Sequence, residues 1–498
     1  MRKLAIAASA ASIFLVNCTK SDLQTQTGVE ETASSTAASG KMLATAKDYI
    51  VITKQASVPD ALLAKIGAHG TVKKAMGELG LVMVSSSDLD FEAKVEKLPE
   101  VHNAVPDIRL NWLNSTVQMD KVVELTADAS APAEAIETSA SLGLSGTNPF
   151  VPLQWSLSSV NAKGAYQAGY KGAGAVVAVL DGGFHLQHPD IRANVIGAAT
   201  FVPGQAAQMA NPAQFSHGTH VAGIIAAADN NIGIAGIAPA AKLHLVKVLG
   251  DNGSGAWSWI INGIYYAANQ NVDIINMSLG GAIPRNGKFI DDGGTPDDPS
   301  DDVVINEARE IQDLIIAMNR AFQYARKKGA LTIVAAGNDA MYVTGQGQGT
   351  FYPANCTDVV TISSNAPQDW VLDLNAPLTI PSSFTNFGAS LIDLAGPGGD
   401  FDGSGALVSF LGQRVPAYIY DMVLSAGTSA GYSWAAGTSM ACPAASGVAA
   451  LIVGKYGGNI SPAELETKLK NAAAIVSYPN ANQYFGRGHV NAANAVKQ

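Results

Sequence analysis

Three polar residues in this chain sit where a folded sheet could bring them together. Asp181 follows directly on the apolar run Val176-Val177-Ala178-Val179-Leu180, so a strand there ends in a carboxylate. Taken alone, an Asp in that place is equally explained by a turn or an N-cap. His217 opens the stretch His217-Gly218-Thr219-His220-Val221-Ala222-Gly223-Ile224, an apolar helix headed by an imidazole. It could cap that helix or serve as a base. Pairing with His220 on a metal would need a third ligand, and neither an HExxH spacing nor a nearby Cys supplies one. Ser439 lies in Ala436-Gly437-Thr438-Ser439-Met440-Ala441-Cys442-Pro443, which runs into an apolar helical stretch over 444–453. Unpaired N–H groups and the helix dipole favour developing negative charge there. A Ser in that position is commonly an N-cap, and becomes a nucleophile only when a base can reach it. A second Gly427-Thr428-Ser429 is followed by Ala-Gly-Tyr-Ser-Trp, which starts no apolar helix, so Ser439 is the stronger candidate.

The elements that must position these residues are readable as well. From 154 to 498 short apolar strands alternate with Ala-rich helices. The runs at 176–180, 243–248, 272–276 and 331–335 are nearly continuously apolar, the mark of strands buried on both faces of a helix-covered parallel sheet. In such sheets ligands bind beyond the carboxyl ends of the strands, which is where Asp181 falls. The fold class expected is α/β, mostly parallel, preceded by a small α+β domain. In that domain, strands at 49–53 and 81–84, helices at 60–67 and 88–98, extended structure over 101–112 and a further strand near Val72 suit a ferredoxin-like arrangement.

The segments VAVLDGG, HGTHVAGI and GTSMACP occur in the order Asp, His, Ser, and in this the chain resembles the subtilisin-like serine peptidases, the family that shows this order. The likeness covers nearly all of 154–498. It implies a serine endopeptidase in which His217 takes the proton of Ser439, Asp181 orients the imidazole, and Asn338, in Val334-Ala335-Ala336-Gly337-Asn338, donates to the oxyanion. It implies further that Gly253-Ser254-Gly255 and Ser278-Leu279-Gly280 sandwich the substrate backbone as added strands. With Ala335, Ala336 and Gly337 they make the substrate-binding set, and Phe351, before Tyr352-Pro353, floors the primary specificity pocket. A Phe there implies a preference for small side chains before the scissile bond. A structural calcium ion is implied too, held by the side chains of Gln154, Asp190 and Asn230 and the carbonyls of Ala228, Ile232 and Ile234. No catalytic cofactor is implied. One departure stands out: Gly182 follows the catalytic Asp where the family usually has Ser or Thr. A cleft that binds peptides without cutting them is the alternative this departure favours. A serine esterase would need a GxSxG elbow and the order Ser, Asp, His, which are absent.

The resemblance extends to the N-terminal third. Residues 1–18 read as an export signal: Met1-Arg2-Lys3 is basic, 4–16 is apolar but too short to span a bilayer, and Leu15-Val16-Asn17-Cys18 resembles a lipoprotein box. Cys18 would then carry lipid and place the protein at the outer membrane or cell surface; otherwise it is secreted or periplasmic. Residues 19–46 are a Ser, Thr, Ala and Gly tether. Residues 47–113 resemble the family's inhibitory propeptide, 114–150 form a linker and 151–498 the catalytic domain. The expected partners are protein or peptide substrates and the chain's own propeptide, with a membrane reached only through the lipid. A net charge of −10 with no basic stripe argues against nucleic acid. Cys356 and Cys442 could pair or remain free thiols. Residues 282–311, with six Asp among Gly and Pro, read as an insertion, either a solvated loop or a further calcium loop.

Overall fold

The computed structural model describes residues 47–113, 123–125, 138–284, 288–291, 300, 303–306, 308–343, 349–410 and 413–498. The export signal, the tether with Cys18, linker residues 114–122 and 126–137, and five of the six Asp of the insertion lie outside them. Within the insertion Lys288–Asp291 pairs antiparallel with Val303–Asn306, and its near end lies in the strand Gly281–Pro284, paired with Gly349–Tyr352. Its far end belongs to the helix Ala308–Lys327.

The N-terminal domain is an antiparallel sheet in the order Thr71–Met76, Leu81–Ser86, Lys47–Thr53, Val101–Pro106, the ferredoxin-like arrangement. Side chains alternate across a strand, and here both faces are covered. Tyr49, Val51, Val82 and Val84 pack on the domain's own helices through Leu62, Ile66, Phe91 and Val95. Ile50, Ile52, Leu81 and Met83 point the other way, into one core with Trp257, Ile260 and Ile264 of the helix Trp257–Ala268 and Leu314 and Met318 of the helix Ala308–Lys327. That shared core is why 49–53 reads as an unbroken apolar run. The second helix is shorter than expected, Phe91–Val95, because the Asp88 carboxylate accepts from the Asp90 N–H and forms a turn before it.

Polar contacts fix the same contact face. Asp107 accepts from the N–H and hydroxyl of Ser258, at 2.9 and 2.5 Å, and so caps the helix Trp257–Ala268 from outside. Asp313 is buried against His102 at 3.0 Å and against the amide of Asn103. The Arg320 guanidinium donates to the carbonyls of Thr53 and Leu79.

The large domain is built on a sheet ordered Ile380–Pro381, Val359–Ala366, Leu331–Ala335, Ile274–Met277, Val176–Asp181, Lys242–Lys247, Val195–Thr200, with Leu394–Pro397 beside Val359–Ala366. Its pairings are parallel except at Ile380–Pro381. Val177 and Val179 face a core with the helices His217–Ala226 and Thr438–Lys455. Ala178 and Leu180 face the core built on Trp257–Ala268 and Ala308–Lys327. A strand sandwiched in this way has no polar side to show. The ordered body reaches back to Thr138, into the expected linker, because Asp229 gathers that stretch: it accepts from the Ser145 N–H and hydroxyl, the Gly146 N–H and the Asn148 amide at 2.7–2.9 Å. Burial pulls its pKa up, but these donors outweigh that and bring it to about 2.

Candidate active site

The carboxyl ends of three neighbouring strands deliver the site. Val176–Asp181 ends on Asp181, Ile274–Met277 leads into Ser278, and Leu331–Ala335 leads into Asn338. His217 heads its helix behind Ser216, whose hydroxyl caps the Thr219 N–H at 3.0 Å. His217 Nδ1 lies 2.9 Å from Asp181 Oδ2 and 3.0 Å from Oδ1, and Oδ1 also accepts from the Gly182 N–H at 2.7 Å. An Nδ1 held on a carboxylate carries the proton, which leaves Nε2 as the basic atom. Nε2 is buried and has no hydrogen-bond partner.

Ser439 is the second residue of the helix Thr438–Lys455. Pro443 lacks the N–H that would bond the Ser439 carbonyl four residues back, and the Ser278 hydroxyl supplies that bond at 2.8 Å. In the resting state Ser439 Oγ donates to the Ser278 carbonyl at 3.3 Å. Catalytic hydrogen bonds are often long or misaligned before substrate binds. Asn338 Oδ1 accepts from the N–H and hydroxyl of Thr438, at 2.7 and 2.8 Å. This fixes which end of the amide faces away from Thr438: the NH2, the end an oxyanion needs. Ser429, by contrast, sits in the turn between Val423–Ala426 and Tyr432–Ala435.

The tail of the N-terminal domain lies along the cleft. Arg109–Asn111 pairs antiparallel with Ser254–Ala256. Trp112 donates its N–H to the Gly253 carbonyl at 3.0 Å and accepts at its own carbonyl from the Gly280 N–H at 2.9 Å. The two expected strand partners thus hold one segment between them. The Trp112 ring is buried edge-on against Trp257, and its Nε1 donates to the Gly255 carbonyl. Farther along, Val123–Leu125 pairs antiparallel with Tyr432–Ala435. A small cavity beside Ser439 is lined by Leu279, Gly280, Ala335, Gly337, Asn338 and Phe351. Trp112 and Thr438 line it too, and the Phe351 ring packs against its glycines: a Cβ on Gly280 or Gly337 would stand 2.3 or 2.6 Å from ring atoms. About 10 Å³ remains, room for about one water. Ala336 does not line the cleft; it is buried, with its carbonyl held by Asn386 at 3.0 Å.

Lys247 is a part of the site that motif reading passes over. It is the register partner of Asp181 in the adjacent strand. Its side chain is fully buried, donates to the Gly182 carbonyl and pairs with Asp251. Burial pushes its pKa down against the pull of Asp251 and Asp181. The ammonium therefore grips the residue that lacks a hydroxyl. A Lys inside the apolar run 243–248, one strand away from Asp181, was the available signal.

The expected calcium ligands gather only in part. Asp190 is buried, which pushes its pKa up to about 6. It meets Asn230 at 3.3 Å, the Ile234 N–H at 3.0 Å and the Tyr432 hydroxyl. A buried carboxylate beside a carbonyl-rich loop suits calcium chemically. The Gln154 amide pairs with the Ala235 backbone, accepting from its N–H and donating to its carbonyl at 3.0 Å. Ala228, Ile232 and Ile234 lie on that loop, 228–234. Cys356 and Cys442 are both free thiols, so the disulfide alternative falls.

A family model described as the subtilase family matches residues 172–488. Subtilisin NAT of Bacillus subtilis subsp. natto is 33% identical over 345 residues, 69% of this chain and 71% of that protein. Subtilisin of Bacillus pumilus is 32% identical over 69% of this chain and 98% of its own length. Among solved structures, the epidermin leader peptide processing serine protease of Staphylococcus aureus matches with a TM-score of 0.64 at 20% identity, covering 91% of this chain and 98% of that one. At that identity the likeness speaks for the fold.

If Asn338 supplies the oxyanion donor, Asn338→Ala is expected to lower kcat by about a hundred- to a thousandfold, the range measured for the corresponding donor in subtilisin itself, with KM little changed. Steady-state kinetics on a short peptide checks this. A loss confined to KM would move Asn338 out of that role.

Proposed function

The chain belongs to the subtilase family and is a serine-type endopeptidase, and from that premise we propose an exported, self-processing proenzyme that works through Asp181, His217 and Ser439. Ser439 Oγ attacks the peptide carbonyl carbon as its proton passes to His217 Nε2. Asp181 stabilises the imidazolium, and the oxyanion takes hydrogen bonds from the Asn338 amide and the Ser439 N–H. Collapse expels the amine, which leaves with the proton from His217. Water then attacks the acyl-enzyme, with His217 as base again, releasing the acid and restoring the serine.

The observation that carries the proenzyme reading is the seating of the chain's own tail. Arg109–Asn111 is an added strand on Ser254–Ala256, and Val123–Leu125 is one on Tyr432–Ala435, the segment that leads into Ser439. The bond cut in maturation therefore lies between Leu113 and Val123. Residues 1–18 support export with lipid on Cys18. Intact-mass analysis is expected to find a mature N-terminus within 114–123 in the wild type and an uncut chain in Ser439→Ala, with Ser429→Ala maturing normally. It also reads any acyl mass on the released N-terminal fragment. Maturation of purified Ser439→Ala would sink self-processing.

Phe351 supports a preference for small residues before the scissile bond, since a second large group would overpack the pocket by roughly 1–3 kcal/mol. A peptide library is expected to favour Ala and Ser there. Phe351→Gly is expected to raise kcat/KM for Phe and Leu by about tenfold or more, equivalent to about 1.4 kcal/mol. Rapid cleavage after Phe by the wild type would contradict this.

Calcium on Asp190, Asn230 and the carbonyls of Ala228, Ile232 and Ile234 would tie the loop to the domain and stabilise the folded state. A ligand at a hundredfold its Kd is worth about 2.7 kcal/mol. Excess chelator should lower the Tm of the wild type and leave that of Asp190→Asn unmoved. An unchanged wild-type Tm would remove calcium from this loop.

A further inference from the structure

Farther along the added strand, beside Arg109, the cleft has a recess to which none of the roles above is assigned. It is a cavity of about 210 Å³ walled by Val202, Pro203, Gln205, Asn252 and Trp259. These residues come from three separate stretches: the turn after Val195–Thr200, the loop before Ser254–Ala256, and the first turn of Trp257–Ala268. Arg109 of the tail lies against it, with its guanidinium 5.1 Å from the centre of the Trp259 ring.

The backbone explains why that side chain arrives there. Arg109 is the register partner of Ala256, and Asn111 that of Ser254. Side chains alternate along the added strand, so Arg109 and Asn111 share a face while Leu110 turns to the opposite one and packs on the core. Trp112 is the anchor, buried between Gly253 and Gly280. The third residue before it is thereby delivered to the recess whatever its type, because main-chain pairing sets the position. What the recess accepts is then decided by its lining: an indole face, whose negative quadrupole attracts cations, with the amides of Gln205 and Asn252 around it. The overall charge of −10 adds to the same sign.

We propose that this recess is an extended substrate subsite for a cationic side chain, arginine or lysine, three residues N-terminal to the apolar residue that takes the place of Trp112. The inference rests on the reading that the tail marks the path of a substrate. Recognition so far from Ser439 selects among long unfolded segments and has no hold on short peptides. It acts mainly through binding, since the recess touches no atom whose charge changes in the reaction.

The test uses the active enzyme and a set of quenched fluorescent peptides that keep tryptophan at the anchor and carry Arg, Lys, Ala or Glu three residues before it. Arg and Lys peptides are expected to show kcat/KM about three- to fivefold above Ala, the scale of a partly exposed cation–π contact, expressed in KM. The Glu peptide should fall below Ala. In Trp259→Ala the Arg-to-Ala ratio should drop to about one, and Trp259→Phe should keep part of it. Because each ratio is taken within one variant, a general loss of folded enzyme cancels. Equal rates for all four peptides in the wild type, or a ratio that survives Trp259→Ala, overturns the subsite alone. Failure to cleave any of them overturns the reading of the tail beneath it as well.

Discussion

Asp181 is a carboxylate with no exposure to solvent, and a charge in that position is tolerable only when paired and hydrogen-bonded. The architecture around it answers that demand. The strand brings it to the sheet's carboxyl edge, the Gly182 N–H binds one oxygen, and the His217 N–H lies against both. In exchange the imidazole is held in one tautomer, with the proton on Nδ1. The helix carrying His217 is buried on every side, so its first residue has no freedom to drift from this pair. Ser439 arrives under a second constraint, the proline four residues on. Pro443 makes the Ser439 carbonyl depend on Ser278, and so ties the start of that helix to the end of the strand Ile274–Met277.

Main-chain pairing does two jobs in this cleft. Gly253, Gly255 and Gly280 present backbone to whatever lies between them, and such contacts accept almost any sequence. Choice is left to the few places where side chains enter pockets. Close to Ser439, Phe351 nearly closes one. Farther out, Trp257 shelters the anchor indole. Two glycines are required by this packing, since a Cβ on Gly280 or Gly337 would collide with Phe351, and Gly337 also holds φ at +98°, a region glycine enters without strain.

Much of this was legible in the residues. Asp181 and Ser439 stand where local patterns put them: at the end of an apolar strand, and after a glycine at a helix start. The continuous apolar strands gave the layered sheet for the same physical reason. What escaped was set by distance in sequence. Gln154 and the Ala235 backbone bond each other across 81 residues, a pairing that no local pattern announces. Lys247 looks like an ordinary strand terminus until register places it beside Asp181. The linker residues around 145–148 are held by Asp229, whose carboxylate reads as part of a turn. Ala336 followed the motif into the substrate set, yet its position in the chain turns it inward.

The N-terminal domain shares a core with the enzyme, and this shapes what cutting the chain can achieve. Ile50, Ile52 and Met83 bury one face of its sheet against Trp257, Ile260 and Leu314, while Asp107 supplies the cap for the Trp257–Ala268 helix from across the boundary. Breaking a bond after Leu113 removes none of these contacts. It removes only the tether, which converts an intramolecular association into a bimolecular one and lets dilution oppose it. The tail remains an occupant of the cleft as long as the domain that carries it stays docked. Were the chain cut there, as proposed, release would depend on unfolding or digestion of that domain, and each digestion event would pull the docking equilibrium irreversibly. A sheet buried on both faces would then separate the moment of cleavage from the moment of activity.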